Sequence, residues 1–237
     1  MSLFVALLVP FVGFTQIVST ANLYDLKSEQ TKKLYTLEVQ FSEAGGRVHS
    51  EAVYKDLNGK TVVKEKGVTQ EAQVKSYEIE RPQTSEKGKF TVEGEKIHFE
   101  YTGANGKKKT SDEKLKGLLL STANFNAVVM ENWEKLSSGK ELEVRFAVWD
   151  RLETVGFTLK KMSDLDKGTD KWMELRMKPT SFVIAALVDP VYLWYSHDSK
   201  KLMVMKGRVA PKIEVGGSFK DLDAEVVYTY DQKAVSK

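Results

Sequence analysis

Hydrophobic and polar positions alternate with a period of two along most of this chain. In LYTLEVQF (34–41), Tyr35, Leu37, Val39 and Phe41 fall on one side, and Thr36, Glu38 and Gln40 on the other. That is the pattern of a strand with one buried face. It returns in KIHFEY (96–101), in 141–149 and 154–162, and in AEVVYTY (224–230). Gly45-Gly46, Asn58-Gly59, Gly94 and Asn105-Gly106 punctuate it, and Asn-Gly accepts the positive φ values of a tight hairpin. The connections are too short for parallel crossovers, so an antiparallel meander of about ten or eleven strands is expected. The period changes at residue 122. Phe125, Val128, Val129, Trp133 and Leu136 recur at helical spacing, and Gly139 follows, which predicts an amphipathic helix over about 123–137. Residues 181–188 predict a short buried helix ended by Asp189-Pro190. A polar loop is expected at 163–170.

Sheets of this size curl, split or close. Two modest helices cannot cover so much apolar face on a flat sheet. The expected fold is mainly β: a large, strongly curved antiparallel sheet or part-closed barrel wrapped around one or two short helices. A space between sheet and helices would be filled by side chains or would hold an apolar ligand.

The first residues differ from the rest. LFVALLVPFVGF (3–14) is an apolar run too short for a membrane span, and Ser19-Thr20-Ala21 places small residues where a signal peptidase cuts. The reading is a signal peptide over 1–21 and one β-rich domain over 22–237, hence a periplasmic or secreted protein. No Lys or Arg precedes the run, and a retained anchor or a buried N-terminal strand are the alternatives. Absence of cysteine excludes disulfides, thiol catalysis and a lipidated cysteine.

Charge is nearly balanced, with 36 basic and 33 acidic residues. Lys alternates with Glu in KTVVKEK (60–66) and EKGKFTVEGEKIHFE (86–100), which reads as solvated strand faces and not as a nucleic-acid patch. The one basic run, Lys107 to Lys109, follows the Asn105-Gly106 turn. No nucleophile elbow, phosphate loop, dinucleotide fingerprint or zinc-protease motif occurs. His49, His98 and His197 are scattered, so no metal site is expected. Ser196-His197-Asp198 holds triad residue types, yet a triad needs geometry rather than adjacency, and a turn is the reading. DLDKGTD (164–170) lacks the calcium-loop positions. No catalytic residue and no cofactor are expected.

Asp150, Arg151 and Glu153 form a charged corner between two strands. It reads as the polar tip of a hairpin, with Trp149, Asp150 and Arg151 as a candidate interaction surface. By alternation Trp149 shares a side with Glu143, Arg145 and Ala147. It is placed to stack on Arg145, to cover the sheet's outer face, or to mark a contact. A candidate ligand cavity is lined by Trp133, Phe146, Phe157, Tyr192 and Trp194, with Met203 and Met205 as adaptable filler.

Residues 124–161, with a Phe/Trp helix ending at Gly and a strand hairpin after it, resemble a group of uncharacterised bacterial secreted proteins. So do residues 181–208, where a short helix precedes Asp-Pro and a strand–turn–strand unit. That group has no assigned activity. In architecture the chain also resembles periplasmic lipoprotein carriers, whose curved sheet is plugged by helices and binds acyl chains. This resemblance implies a carrier of an apolar or amphipathic ligand such as a lipid, without catalysis. A structural or interaction protein of the envelope is the alternative, and a hydrolase the weakest reading. The expected partners are therefore a hydrophobic ligand or an envelope protein.

Overall fold

A computed structural model of the chain describes residues 17–186 and 188–231. Its first eight strands are β1 (Ile17–Asp25), β2 (Lys33–Ala44), β3 (Arg47–Lys55), β4 (Thr61–Gln70), β5 (Gln73–Arg81), β6 (Glu86–Glu93), β7 (Lys96–Thr102) and β8 (Lys108–Lys114). Then come β9 (Leu119–Leu120), helices α1 (Phe125–Glu131) and α2 (Trp133–Ser137), β10 (Leu142–Val148), β11 (Glu153–Lys167) and β12 (Asp170–Pro179). Helix α3 (Phe182–Ala185), β13 (Val191–Ser196), β14 (Leu202–Val215) and β15 (Ser218–Tyr230) complete the order.

All fifteen strands form one sheet, from β8 stepwise back to β1, then β15 stepwise back to β9. Every neighbour is antiparallel except β9 on β10. The mainly β, strongly curved sheet agrees with expectation, but its strands number fifteen and not ten or eleven. Among the additional ones are β1, the wholly polar β8 and the two-residue β9. The expected loop at 163–170 is largely strand, since β11 runs on to Lys167 and only Gly168 and Thr169 turn.

The boundary expected after Ala21 falls inside β1, and residues 1–16 lie outside the described residues. β1 is a central strand: Ser19, Thr20 and Ala21 pair with Val39, Glu38 and Leu37 on β2 and with Tyr230, Thr229 and Tyr228 on β15.

The concave face carries the core. Leu23, Leu37, Val63, Ile79, Phe90, Phe99, Leu159, Leu175, Leu193 and Val226 are all buried there. The predicted helix is two short ones, broken at Asn132, whose side-chain amide donates to the Val128 carbonyl at 2.9 Å. Together they plug part of the concavity through Val128, Val129, Trp133 and Leu136. Asn124 anchors their entry. Its amide donates to the carbonyls of Ala72 and Leu119, both at 2.9 Å, and its carbonyl accepts from the Ser121 N–H at 2.7 Å.

The edges β8 and β9 do not pair with each other; the sheet rolls past closure. On β10, Leu142 and Val144 face the helices, while Ala147, and beyond it Trp149, face the other way into a second cluster with Tyr77, Ile79, Phe90, Ile97 and Phe99. The inner face of β5–β7 thus lies over the outer face of β10. Gly88 permits that approach, because a Cβ there would stand 2.1 Å from the Trp149 ring. Polar contacts hold the lap at β8, where the Glu113 carboxylate accepts from the Thr154 N–H at 2.7 Å and hydroxyl at 2.6 Å and pairs with Arg145 at 3.3 Å.

Alternating hairpins define two ends of the sheet. The turns at 26–32, 56–60, 82–85, 103–107 and 149–152, the α3 connection and the turn at 216–217 lie at one end. The turns at 45–46, 71–72, 94–95, 168–169 and 197–201 lie at the other. At the α3 end the β14–β15 arm bends at a register shift between Arg208 and Lys212 that contains Pro211. The bend reaches the β5–β6 turn. Gln83 donates to the Lys212 carbonyl at 2.7 Å and accepts from its N–H at 2.8 Å, and Arg81 donates to the Ala210 carbonyl at 3.1 Å.

Candidate ligand-binding site

The structure divides the candidate cavity residues between two faces. Trp133 is buried in α2, edge-on to Tyr195 and His197 with centroids 6.4 and 5.6 Å away. Phe146 and Phe157 meet edge-to-face at 6.2 Å on the concave side, half-buried against the helix-covered cluster together with Val191 and Met205. Tyr192 and Trp194 lie on the opposite, convex side. Their cross-strand partners are Arg176 and Lys206, and Glu174 and Val204, and the two rings stack at 6.2 Å. Strict alternation explains the split, because Leu193 and Tyr195 take the core positions of β13. Met203 is half-buried beside a register shift.

Phe146, Phe157, Val191 and Met205 therefore form an apolar band at the border of the core. Phe157 pairs with Pro179, and Val191 opens β13, so the band meets both ends of the α3 connection. Helix α3 is capped by the Ser181 hydroxyl, which accepts from the Ile184 N–H. It was expected to be buried, yet none of its residues is, and Phe182 is 90% and Val183 70% exposed. Four residues flanked by a turn are too few to lay a whole apolar face on the sheet.

Trp149 is only 9% exposed, and what it touches is this chain. The Arg81 guanidinium lies over its ring at 4.9 Å and Tyr101 packs at 5.9 Å. It covers the outer face of the sheet from beneath the lap, stacking on Arg81 where Arg145 was expected. Asp150 and Arg151 stay exposed at the turn, Arg151 pairing with Glu153 at 2.7 Å. Exposed pairs of this kind contribute ~0–1 kcal/mol. Ser196-His197-Asp198 is a turn region whose His197 contacts Asp164 at 2.9 Å, and His98 contacts Asp112 at 2.6 Å. Among the described residues no group of three or more His, Asp or Glu is arranged to hold a metal.

One interior group was missed. Glu65, read as part of a solvated Lys/Glu face, points inward from β4 in step with Val63 and Gly67, and is 5% exposed. Thr122, in the segment entering α1, donates its hydroxyl to it at 3.1 Å. Beside that contact Gly67 stays bare because Ala123 fills the space. Burial pushes the Glu65 carboxyl up to about 7, against the pull of Thr122, Tyr77 and Arg81. The Tyr54, Tyr77 and Tyr228 phenols share this interior, and burial raises each of them. Parity with Val63 and the in-strand Gly67 were the available signals in the sequence.

A carboxyl raised from 4.5 to about 7 adds stability that is fully present below its unfolded value and is lost as pH rises through 7. The protein is expected to be about 2 kcal/mol more stable near pH ~5.5 than near pH ~8.5 through this group. Glu65→Gln is expected to abolish that difference. Urea midpoints at the two pH values check it, and an unchanged pH slope in the variant would refute the assignment.

The fold defines a rolled, unclosed β-sheet protein plugged by short helices. No family model and no curated protein matches the chain. Among solved structures it is similar to a β-barrel-like protein of the domain of unknown function DUF1849 from Brucella abortus, with TM-score 0.50 and 12% identity over 92% of this chain and 97% of that one. It is more weakly similar to an outer membrane lipoprotein-sorting protein domain from Vibrio parahaemolyticus, with TM-score 0.26 and 7% identity over 91% and 84%. A porin-like protein from Bacteroides uniformis gives TM-score 0.27 and 10% identity over 92% and 99%. The first likeness shows a shared fold and agrees with the expected resemblance to proteins of unassigned activity. The other two are too distant to carry an argument.

Proposed function

We propose that the chain is an exported binding or carrier module for an apolar or amphipathic ligand such as a lipid, with no catalytic step. The observation that carries this reading is the half-buried band of Phe146, Phe157, Val191 and Met205, which leads to the exposed apolar helix α3. An acyl chain entering along the band would replace water at the two rings. Met205, unbranched and flexible, would adapt to it. Binding of this kind is passive and needs no activated group.

Native mass spectrometry of protein purified from a bacterial periplasm tests it. The expected result is an adduct of lipid mass that organic extraction removes and that Phe157→Asp abolishes while the fold persists by circular dichroism. A bare mass with no uptake of added fatty acid or phospholipid would sink the proposal.

A second reading, an interaction protein of the envelope, is favoured by one observation. Two shallow surface depressions, about 270 and 390 Å³, are lined by residues of β3–β5 and of the β7–β8 edge, away from the aromatic band. Trp133→Ser in the same experiment separates the readings, since loss of an adduct belongs only to the first.

A further inference from the structure

The exposed apolar side chains are not distributed evenly. Among the described residues, the large exposed hydrophobics that sit in turns or in α3 are Leu26, Leu57, Phe182 and Val183. All four belong to the α3 end, and exposed Val215 borders that end's last turn. Near the opposite end Phe41, Val48 and Leu165 are exposed on their strands, but only to 36–38%, against 90%, 70% and 62% for Phe182, Val183 and Leu57. A single exposed Leu is ordinary, but the most exposed apolar side chains gathered at one end of a sheet are not.

Exposed cations occur at both ends, Arg47, Lys140 and Lys167 among those of the opposite one, but the run of three consecutive lysines is at the α3 end. Lys27, Lys60, Lys107, Lys108 and Lys109 are exposed at the α3 end, and none makes an ion pair among the described residues. The exposed carboxylates there, among them Glu29, Glu80, Asp150, Asp189, Glu214 and Asp221, are dispersed along the chain, whereas three of the lysines are consecutive. Apolar tips flanked by long, flexible cations suit the border between lipid headgroups and acyl chains, where Phe and Leu enter and Lys reaches up to phosphate.

We infer that the α3 end is a membrane-docking surface for an anionic lipid bilayer, with Phe182 and Val183 entering the headgroup border and Lys107 to Lys109 resting on phosphates. The inference stands on surface residues alone and holds whether or not the interior takes a ligand. Helix α3 is suited to the role because it is capped and formed while leaving its apolar side chains in water.

The absence of cysteine makes a site-specific test simple. Val183→Cys, Leu57→Cys and Val48→Cys are each made in the full chain and labelled with a polarity-sensitive fluorophore. They are mixed with vesicles of phosphatidylcholine alone or with added phosphatidylglycerol. The labels at 183 and 57 are expected to shift to the blue on anionic vesicles, and the label at 48, near the opposite end, to stay in water. Phe182→Ser, or changing Lys107, Lys108 and Lys109 together to Gln, is expected to weaken the shift by about tenfold in lipid concentration. The lysine variant should lose the preference for phosphatidylglycerol. A protein that sediments with vesicles while the label at 183 stays in water overturns the inference, since another segment then makes the contact. So does a chain that gives neither shift nor sedimentation. A lipid adduct in the mass spectrum without vesicle docking would sink only this inference, and docking without an adduct only the carrier reading.

Discussion

A chain shortened to begin at Asn22 is expected to lose a large part of the stability of one that begins at Ile17. The five residues between those starts are in the sheet. Ser19, Thr20 and Ala21 sit between β2 and β15 and bond to both. Removing them breaks about six backbone hydrogen bonds at ~1 kcal/mol each, and leaves donors and acceptors of β2 and β15 without partners. Ala21 also caps the core between Leu37 and Tyr228, so its loss lets water onto both. Part of the cost returns as chain entropy. A net loss of about 4 kcal/mol is a large share of the roughly 5–15 kcal/mol that holds an ordinary domain folded. Denaturant midpoints of the two truncated chains are the measurement. Equal midpoints would mean that Ser19–Ala21 contribute nothing, and a signal boundary after Ala21 would then cost the fold nothing.

The small residues that read as a peptidase site are the same ones that pack closely in the centre of the sheet. Ser19 and Ala21 satisfy both patterns, so composition alone could not separate an export signal from a strand. β8 hid for another reason. KKTSDEK has no apolar member, and pairing with β7 at a free edge makes it a strand. Its lysines and carboxylates suit such an edge, because they discourage pairing with another chain. Most other strands were legible because one face is buried and period two is then obligatory.

The lap left two signals. The end of β10 is apolar on both sides, Phe146 and Val148 on one and Ala147 with the following Trp149 on the other, and a strand of that kind is covered on both faces. Gly67 and Gly88 stand inside strands, where glycine marks close approach. Both were present in the sequence, but the partner that covers β10 is some fifty residues or more away along the chain, beyond the reach of local periodicity. Of the aromatic side chains grouped as a candidate cavity, Phe146 and Phe157 lie on the concave face, while Tyr192 and Trp194 take the convex one by the parity of their own strand, which residue type does not reveal.

Trp149→Ala is expected to cost roughly 3–5 kcal/mol, the range for truncating a large buried aromatic. The site cannot collapse around the gap. Gly88 opposite has no side chain to lean in, and the backbone there is held by pairing with β5 and β7. The loss also strips the Arg81 guanidinium of the ring that covers it, although its contacts to Glu86 and Ala210 remain. Because Trp149 is the largest residue joining β10 to the inner face of β5–β7, the lap should loosen before the rest of the sheet. Amide exchange is therefore expected to quicken first in β7, β8 and β9, with β12–β15 unchanged. Gly88→Val should act on the same contact from the other side, by forcing the ring out. The two substitutions together should then cost less than the sum of each alone, as neighbours that share one contact do. A cost under about 1 kcal/mol for Trp149→Ala, with exchange unchanged along β7–β9, would mean that the lap is held by Glu113, Arg145 and Thr154 and not by the buried ring.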